Sequence, residues 1–197
     1  GADSERWYTT ALVQGKSYCF ETFRANSEYA IDLDLNIVLI RASDSAVLNT
    51  FNGSTGDPAF GSNSRWTRGC LVAPATQQYF VRLVKSVCCT GRAGNFQFRI
   101  VDTTLHSPWW YVLLTSGYDA YMEIANTTTV SVSLEVTVRG ADGSVVASYS
   151  GSLPARGTVL LSVAQGLSAP IASGAGSAQI AHNGPPGAIV GNITTLS

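Results

Sequence analysis

Apolar and polar residues alternate without a break from residue 130 to residue 139. A strict period of two places one row of side chains on each face of a strand, so this segment is predicted to be a half-buried β-strand. A sustained period of 3.6 residues with helix caps occurs nowhere in the sequence. We therefore expect an all-β protein.

A tight turn follows this strand. The step Asp142–Gly143 suits a hairpin turn with positive φ, and residues 145–149 are predicted to form the partner strand. Further short runs bounded by Gly and Pro predict strands over residues 118–125, 158–163, 178–182 and 188–195. Residues 104–197 are thus predicted to form an Ig-like β-sandwich.

Residues 1–103 also show residue patterns that predict β-strands, with longer loops between them. Aromatic and branched residues are concentrated in runs that are predicted to be strands, over residues 17–23, 31–41, 79–87 and 95–102. Between residues 42 and 75 the sequence turns to Ser, Asn, Gly, Asp and Pro. This segment is expected to be a long surface excursion, either a binding surface or a decoration held by Cys70.

The fold class predicted from these patterns is all-β, with two tandem antiparallel β-sandwiches that are Ig-like or jelly-roll-like. The boundary is expected between residues 103 and 104, close to the step Ser107–Pro108 at which a new segment begins. The two predicted domains are therefore residues 1–103 and residues 104–197.

All four cysteines, Cys19, Cys70, Cys88 and Cys89, lie in the first half of the sequence. An even number without a Cys-x-x-Cys pair indicates two disulfides and a secreted protein, with metal binding as the weaker interpretation because both histidines lie elsewhere. A ring between neighbouring cysteines is strained, so Cys88 and Cys89 are expected to bond to Cys19 and Cys70, in an order that the sequence leaves open. An export signal is expected to have been removed or never to have been present.

Charged residues make up only 13% of the chain, against roughly 25% in an ordinary domain. A net charge of −1 argues against nucleic acid and against a polybasic membrane anchor as partners. No apolar run reaches the ~18 residues of a membrane span. Charged residues are scarcest after residue 106. The six that remain there are Asp119, Glu123, Glu135, Arg139, Asp142 and Arg156. Strand edges without charge favour assembly with other chains.

Catalytic motifs are missing from the sequence. It contains no Gly-x-Ser-x-Gly elbow, no His-Glu-x-x-His pair and no phosphate-binding loop. His106 lies at the predicted domain joint and His182 precedes a turn, and neither is close in sequence to an activated nucleophile. We therefore expect a protein that is not an enzyme and has no catalytic residues.

The run Trp109, Trp110 and Tyr111 follows the predicted boundary. Such rings bury a large apolar area, so packing in the core or between the domains is expected. An exposed run would instead be a platform for a sugar or a contact for another subunit.

Asp32, Asp34 and Asn36 occupy alternate positions of a predicted strand and therefore share one face. Their oxygens could bind calcium if Asp44 or Asp57 completed the set of ligands. The alternative is a polar strand face that bonds to its own loops. No other cofactor is expected.

The first half of the sequence resembles the bacterial pre-peptidase C-terminal domain, a β-sandwich of exported proteins. The resemblance covers residues 7–101 and depends on the segments 12–18, 31–40, 79–83 and 94–100. It implies secretion and a supporting or binding role, and it does not imply catalysis. The second half resembles β-sandwich modules of bacterial secreted and cell-surface proteins, through residues 118–121, 126–128, 142–143 and 182–187.

These features together predict a secreted structural protein whose copies assemble into an extracellular filament, surface layer or adhesin, by packing or by strand addition. The alternative is a non-catalytic carbohydrate- or protein-binding accessory module of a secreted enzyme system, which would use residues 49–68 or the Trp109 to Tyr111 run. The expected partners are other copies, other extracellular proteins or a glycan.

Overall fold

The computed structural model describes residues 5–24, 35–52, 67–85 and 96–197. Contacts divide the chain into two units, Gly1–Asp102 and Thr103–Ser197. Within the described residues the regular structure is β, apart from one 3-10 turn at Leu114–Ser116, and every strand pair is antiparallel. The predicted all-β fold class is confirmed.

The first unit contains seven described strands in two sheets. The strands are β1 (Glu5–Leu12), β2 (Ser17–Arg24), β3 (Leu35–Arg41), β4 (Val47–Phe51), β5 (Arg68–Val72), β6 (Gln77–Lys85) and β7 (Phe96–Asp102). One sheet has the order β1-β6-β3-β4 and the other β5-β2-β7. Buried side chains from both sheets, among them Phe20, Ile37, Tyr79 and Leu83, form one core.

The second unit also contains seven strands in two sheets. The strands are β8 (Leu105–Leu113), β9 (Asp119–Asn126), β10 (Val132–Gly140), β11 (Val145–Leu153), β12 (Thr158–Ser162), β13 (Ser173–His182) and β14 (Ile189–Leu196). The sheet orders are β11-β10-β13-β8 and β12-β9-β14. Trp110, Met122, Ile124 and Val136 lie at the centre of its core.

The two units have the same strand order. If the strands of each unit are counted from one to seven, the described sheets read 1-6-3-4 and 5-2-7 in both. Thus β8 corresponds to β1, β9 to β2 and β14 to β7. Sequence patterns alone do not indicate this shared topology, because the two halves differ in loop length and in charge content.

Strands with a clear period are where the sequence predicts them. In β10 the residues Val132, Leu134, Val136 and Val138 are all buried, and Gly143 in the following turn has a φ of 83°. The expected excursion over residues 42–75, in contrast, contains β4 and β5. Both have only five residues, too few for a period to be recognised among polar neighbours.

One disulfide joins Cys19 to Cys70. The two residues lie directly opposite each other on β2 and β5, with 4.1 Å between their Cα atoms. The expectation that each would bond to Cys88 or Cys89 is therefore wrong, because strand register brings together residues that are 51 positions apart. Cys88 and Cys89 lie outside the described residues.

A buried carboxylate stands on the same strand as this disulfide. Glu21 has only 1% of its surface exposed, and it lies between Arg68 on β5 and Arg99 on β7, its direct cross-strand neighbours. It forms ion pairs with both, and the Nε atom of Arg99 lies 2.5 Å from its Oε2. These ion pairs connect all three strands of the sheet.

We predict that removal of the Glu21 charge destabilises the first unit far more than removal of Arg99. Glu21→Gln leaves the largely buried guanidinium of Arg68 without its counter-charge, and such a loss costs about 3 to 5 kcal/mol. The Arg99 side chain is 55% exposed, so Arg99→Ala is expected to cost about 1 kcal/mol or less. Urea unfolding of the two variants measures both values, and equal losses would contradict this assignment.

Candidate functional site

A groove of about 500 Å³ opens in the second unit between β8 and β14, the end strands of its two sheets. Its walls contain aliphatic side chains of both sheets, one exposed indole and a few uncharged polar groups. The lining residues that matter below are Trp109, Met122, Ile180, Gly191, Asn192 and Ile193. Among the residues that the structure describes around the groove, none is Asp, Glu, Lys or Arg.

A β-bulge shapes the β8 side of the groove. Ser107 pairs with Ala178 and Trp110 with Gly176, so β8 has one residue more than β13 in this interval. The Ser107 Oγ donates to the carbonyl oxygen of Trp109 at 3.1 Å. Successive side chains of a strand point to opposite faces, so Trp109 is 56% exposed whereas Trp110 is buried.

The three aromatic residues therefore have different environments. The Trp110 indole N–H donates to the carbonyl oxygens of Arg139 and Ser177, at 3.0 and 3.2 Å, inside the core. Tyr111 is partly exposed and contacts the ring of Tyr118. Packing in the core or between the domains was expected for the run, and the structure shows core packing for Trp110, whereas Trp109 and Tyr111 are exposed.

The other side of the groove is β14. Its eight residues include no charged residue and no proline. Ile189, Gly191 and Ile193 lie opposite buried residues of β9 and thus face the core, whereas Val190 and Asn192 face outward. Within the described part of the chain β14 pairs with β9 alone, so its second edge presents backbone N–H and C=O groups.

The other three end strands of this unit carry features that hinder strand addition. In β8 these are Pro108 and the bulge. In β11 both backbone groups of Ser148 are engaged, because its N–H donates to the Ser168 Oγ and its carbonyl oxygen accepts from the Ser168 N–H. β12 has only five residues. Among the four end strands of this unit, β14 alone combines eight residues with an edge that has no charge, no proline and no bulge.

The corresponding strand of the first unit differs in charge. β7 occupies the same place in its sheet as β14 but contains Arg99 and Asp102. Arg99 pairs with Glu21, and the Asp102 Oδ2 accepts a hydrogen bond from Lys16 Nζ at 2.9 Å. This edge is therefore charged where that of β14 is neutral.

The two histidines differ in exposure. His106 is exposed and borders the groove, whereas His182 is 1% exposed at the end of β13. Burial lowers the pKa of His182 below its usual value, and hydrogen bonds with the backbone of Thr103 and Gly184 oppose this effect. His182 is thus an uncharged part of the core and does not reach the groove surface.

The predicted calcium ligands fall mostly outside the described residues. This applies to Asp32, Asp34 and Asp57, whereas Asn36 is a half-buried residue of β3. The Oδ1 atom of Asp44 accepts a hydrogen bond from the Ala46 N–H at 3.1 Å. The same atom lies 3.5 Å from the Nε atom of Arg41. Within the described ranges no three His, Cys, Asp or Glu side chains form a group that could hold a metal ion.

A comparison with protein-family models and with curated proteins found no match for this chain. No helix among the residues of the four described ranges is long and apolar enough to cross a membrane.

We predict that His182 makes the stability of the second unit depend on pH. Its pKa is lowered in the folded state, whereas in the unfolded chain the imidazole titrates near 6.5. Below that pH the unfolded chain binds a proton that the folded chain does not, so stability falls by up to about 1.4 kcal/mol per pH unit until the lowered pKa is reached. Urea unfolding between neutral and acidic pH measures this slope, and it is expected to be smaller in His182→Gln. An unchanged slope in the variant would contradict the prediction.

Proposed function

We propose that this chain is a secreted, non-catalytic structural protein that assembles with copies of itself through strand addition at β14. The observation that carries the proposal is the edge of β14, which has eight residues without charge or proline beside an open groove. The assembly would be an extracellular filament, a surface layer or an adhesin.

The physical basis is the backbone of this edge. Exposed N–H and C=O groups of an end strand form a template for another strand, and proteins that remain monomeric usually block it with charge, proline or a covering loop. An added strand at β14 would form main-chain hydrogen bonds without desolvating any charged side chain of that strand.

Two observations support secretion. A disulfide such as Cys19–Cys70 forms and persists in oxidising compartments. The resemblance of both halves to sandwich modules of exported bacterial proteins favours the same location and a bacterial source.

We predict that a single lysine on β14 prevents assembly. In Thr194→Lys the added charge stands on the exposed outer face of the edge strand, where a charged side chain hinders the addition of another strand. Ser133→Lys is the matched control, since it adds the same charge on an exposed position of β10, a strand with neighbours on both sides. Light scattering and electron microscopy at high concentration measure assembly. The proposal fails if the wild-type chain remains monomeric, or if both variants assemble as the wild type does.

The second candidate is the non-catalytic accessory module that binds carbohydrate. The exposed indole of Trp109 supports it, because this ring, His106 and Asn192 border a groove whose described lining contains no Asp, Glu, Lys or Arg. Aromatic faces beside uncharged hydrogen-bonding groups suit a neutral sugar ring.

If this second function is correct, loss of the Trp109 ring is expected to weaken glycan binding by about tenfold, which corresponds to one aromatic contact. A glycan array followed by calorimetry with the best neutral oligosaccharide compares Trp109→Ala with Tyr111→Ala, a ring on the same strand outside the groove. Equal affinities of the two variants, or no glycan bound by the wild type, would exclude Trp109 as the platform.

A further inference from the structure

The core-facing side chains of β14 alternate in size. Ile189, Gly191, Ile193 and Thr195 lie opposite Asn126, Ile124, Met122 and Ala120 of β9, all of which are buried. Along the edge, the core-facing side chain is therefore large at Ile189, missing at Gly191, large at Ile193 and small at Thr195. A strand that pairs with β14 must fit this order, because facing residues of an antiparallel pair lie on the same face.

Gly191 contributes no side chain to this row. The Cδ1 atom of Ile180 packs closely against its backbone, because a Cβ atom at this position would lie only 3.2 Å from it. Gly191, Ile180, Met122 and Ile193 all line the groove. The space beside β14 can thus accept an apolar side chain from a strand placed along the edge.

We infer that the strand which enters this position is β14 of a second copy, antiparallel, with Asn192 facing the partner's Asn192 on a twofold axis. The inference rests on the proposed function and gives its partner and its register. In this register Ile193 faces the partner's Gly191, and Ile189 faces the partner's Thr195. Each large side chain then meets a small one or none.

Neighbouring registers fit less well. An axis at Gly191 would place two glycines opposite each other and leave a cavity between them, and it would oppose Ile189 to the partner's Ile193 twice. An axis at Ile193 would oppose two isoleucines and leave Gly191 beside a threonine. A shift of the partner strand by one residue would place its core-facing row of side chains on the outer face of the joined sheet.

The outer face of the edge is also compatible with a twofold axis. An Asn carboxamide both donates and accepts, so two Asn192 side chains can bond to each other. Asn192 lies opposite Glu123 on β9, just as Arg99 on β7 lies opposite Glu21 on β2. The same axis at β7 would oppose two arginines, a destabilising pair. This difference selects β14 rather than β7.

A twofold contact of this kind closes after two copies. It would join the three-stranded sheets into one of the order β12-β9-β14-β14-β9-β12. Growth of a filament or layer then requires another surface of the chain in addition to β14.

Cysteine cross-linking tests the register. In Asn192→Cys the two new thiols face each other across the axis, where Cα atoms are about 4.5 to 5.5 Å apart, so oxidation is expected to give a covalent dimer. In Thr194→Cys, the matched control, the two thiols lie four residues apart along the strands, about 13 Å, and are not expected to bond. A mixture of Val190→Cys and Thr194→Cys is expected to form a mixed dimer. Non-reducing electrophoresis measures all three, with wild-type protein as the background for the native cysteines.

The outcomes separate this inference from the proposed function. If Thr194→Lys prevents assembly but Asn192→Cys gives no covalent dimer, the register is wrong and strand addition at β14 stands. Equal cross-linking of Asn192→Cys and Thr194→Cys also overturns the register. If the wild-type chain stays monomeric, both the register and the proposed strand addition at β14 are contradicted. Gly191→Val is an independent test, with circular dichroism to confirm folding. The new side chain would stand opposite the partner's Ile193 and is expected to weaken the dimer by about tenfold.

Discussion

Each strand of this chain must bury one row of side chains between two sheets, and this burial is the constraint on which the rest of the structure depends. Hydrophobic burial fixes the register of a strand, because a slip by one residue would turn the buried row to the solvent. The end strands have a neighbour on one side only, and their free sides are where the two units differ. The groove between β8 and β14 is such a place, since it lies between end strands of the two sheets.

The same strand order therefore occurs with two kinds of surface. In the first unit the central strand of the three-stranded sheet carries Glu21, which is buried between two arginines. In the second unit the central strand carries Glu123, which is exposed between Leu160 and Asn192. The first arrangement makes the edge of its sheet charged, whereas the second leaves it neutral. One topology thus gives a protected edge in one unit and an edge open to pairing in the other.

Local sequence patterns predicted the all-β class, the hairpin at Gly143 and most strands of the second half, because these follow from periods and turns within a few residues. The short strands β4 and β5 were missed because neither is long enough to show a period. The partner of Cys19 and the close packing of Ile180 against Gly191 could not be predicted, since both depend on the arrangement of strands that are distant in sequence. The bulge in β8 also depends on pairing with a strand that is distant in sequence. Pro108, a proline within an aromatic strand, is nevertheless a sequence signal that could have indicated it.

The Cys19–Cys70 bond has a consequence for the chain when it is not folded. It joins β2 to β5 across a sequence separation of 51 residues, a loop that includes β3 and β4. Closing a loop of this length lowers the conformational entropy of the unfolded chain. In the chain-entropy treatment this loss stabilises the folded state by about 4 kcal/mol. Once oxidised, the chain thus begins each refolding event with one non-local strand pair already held together.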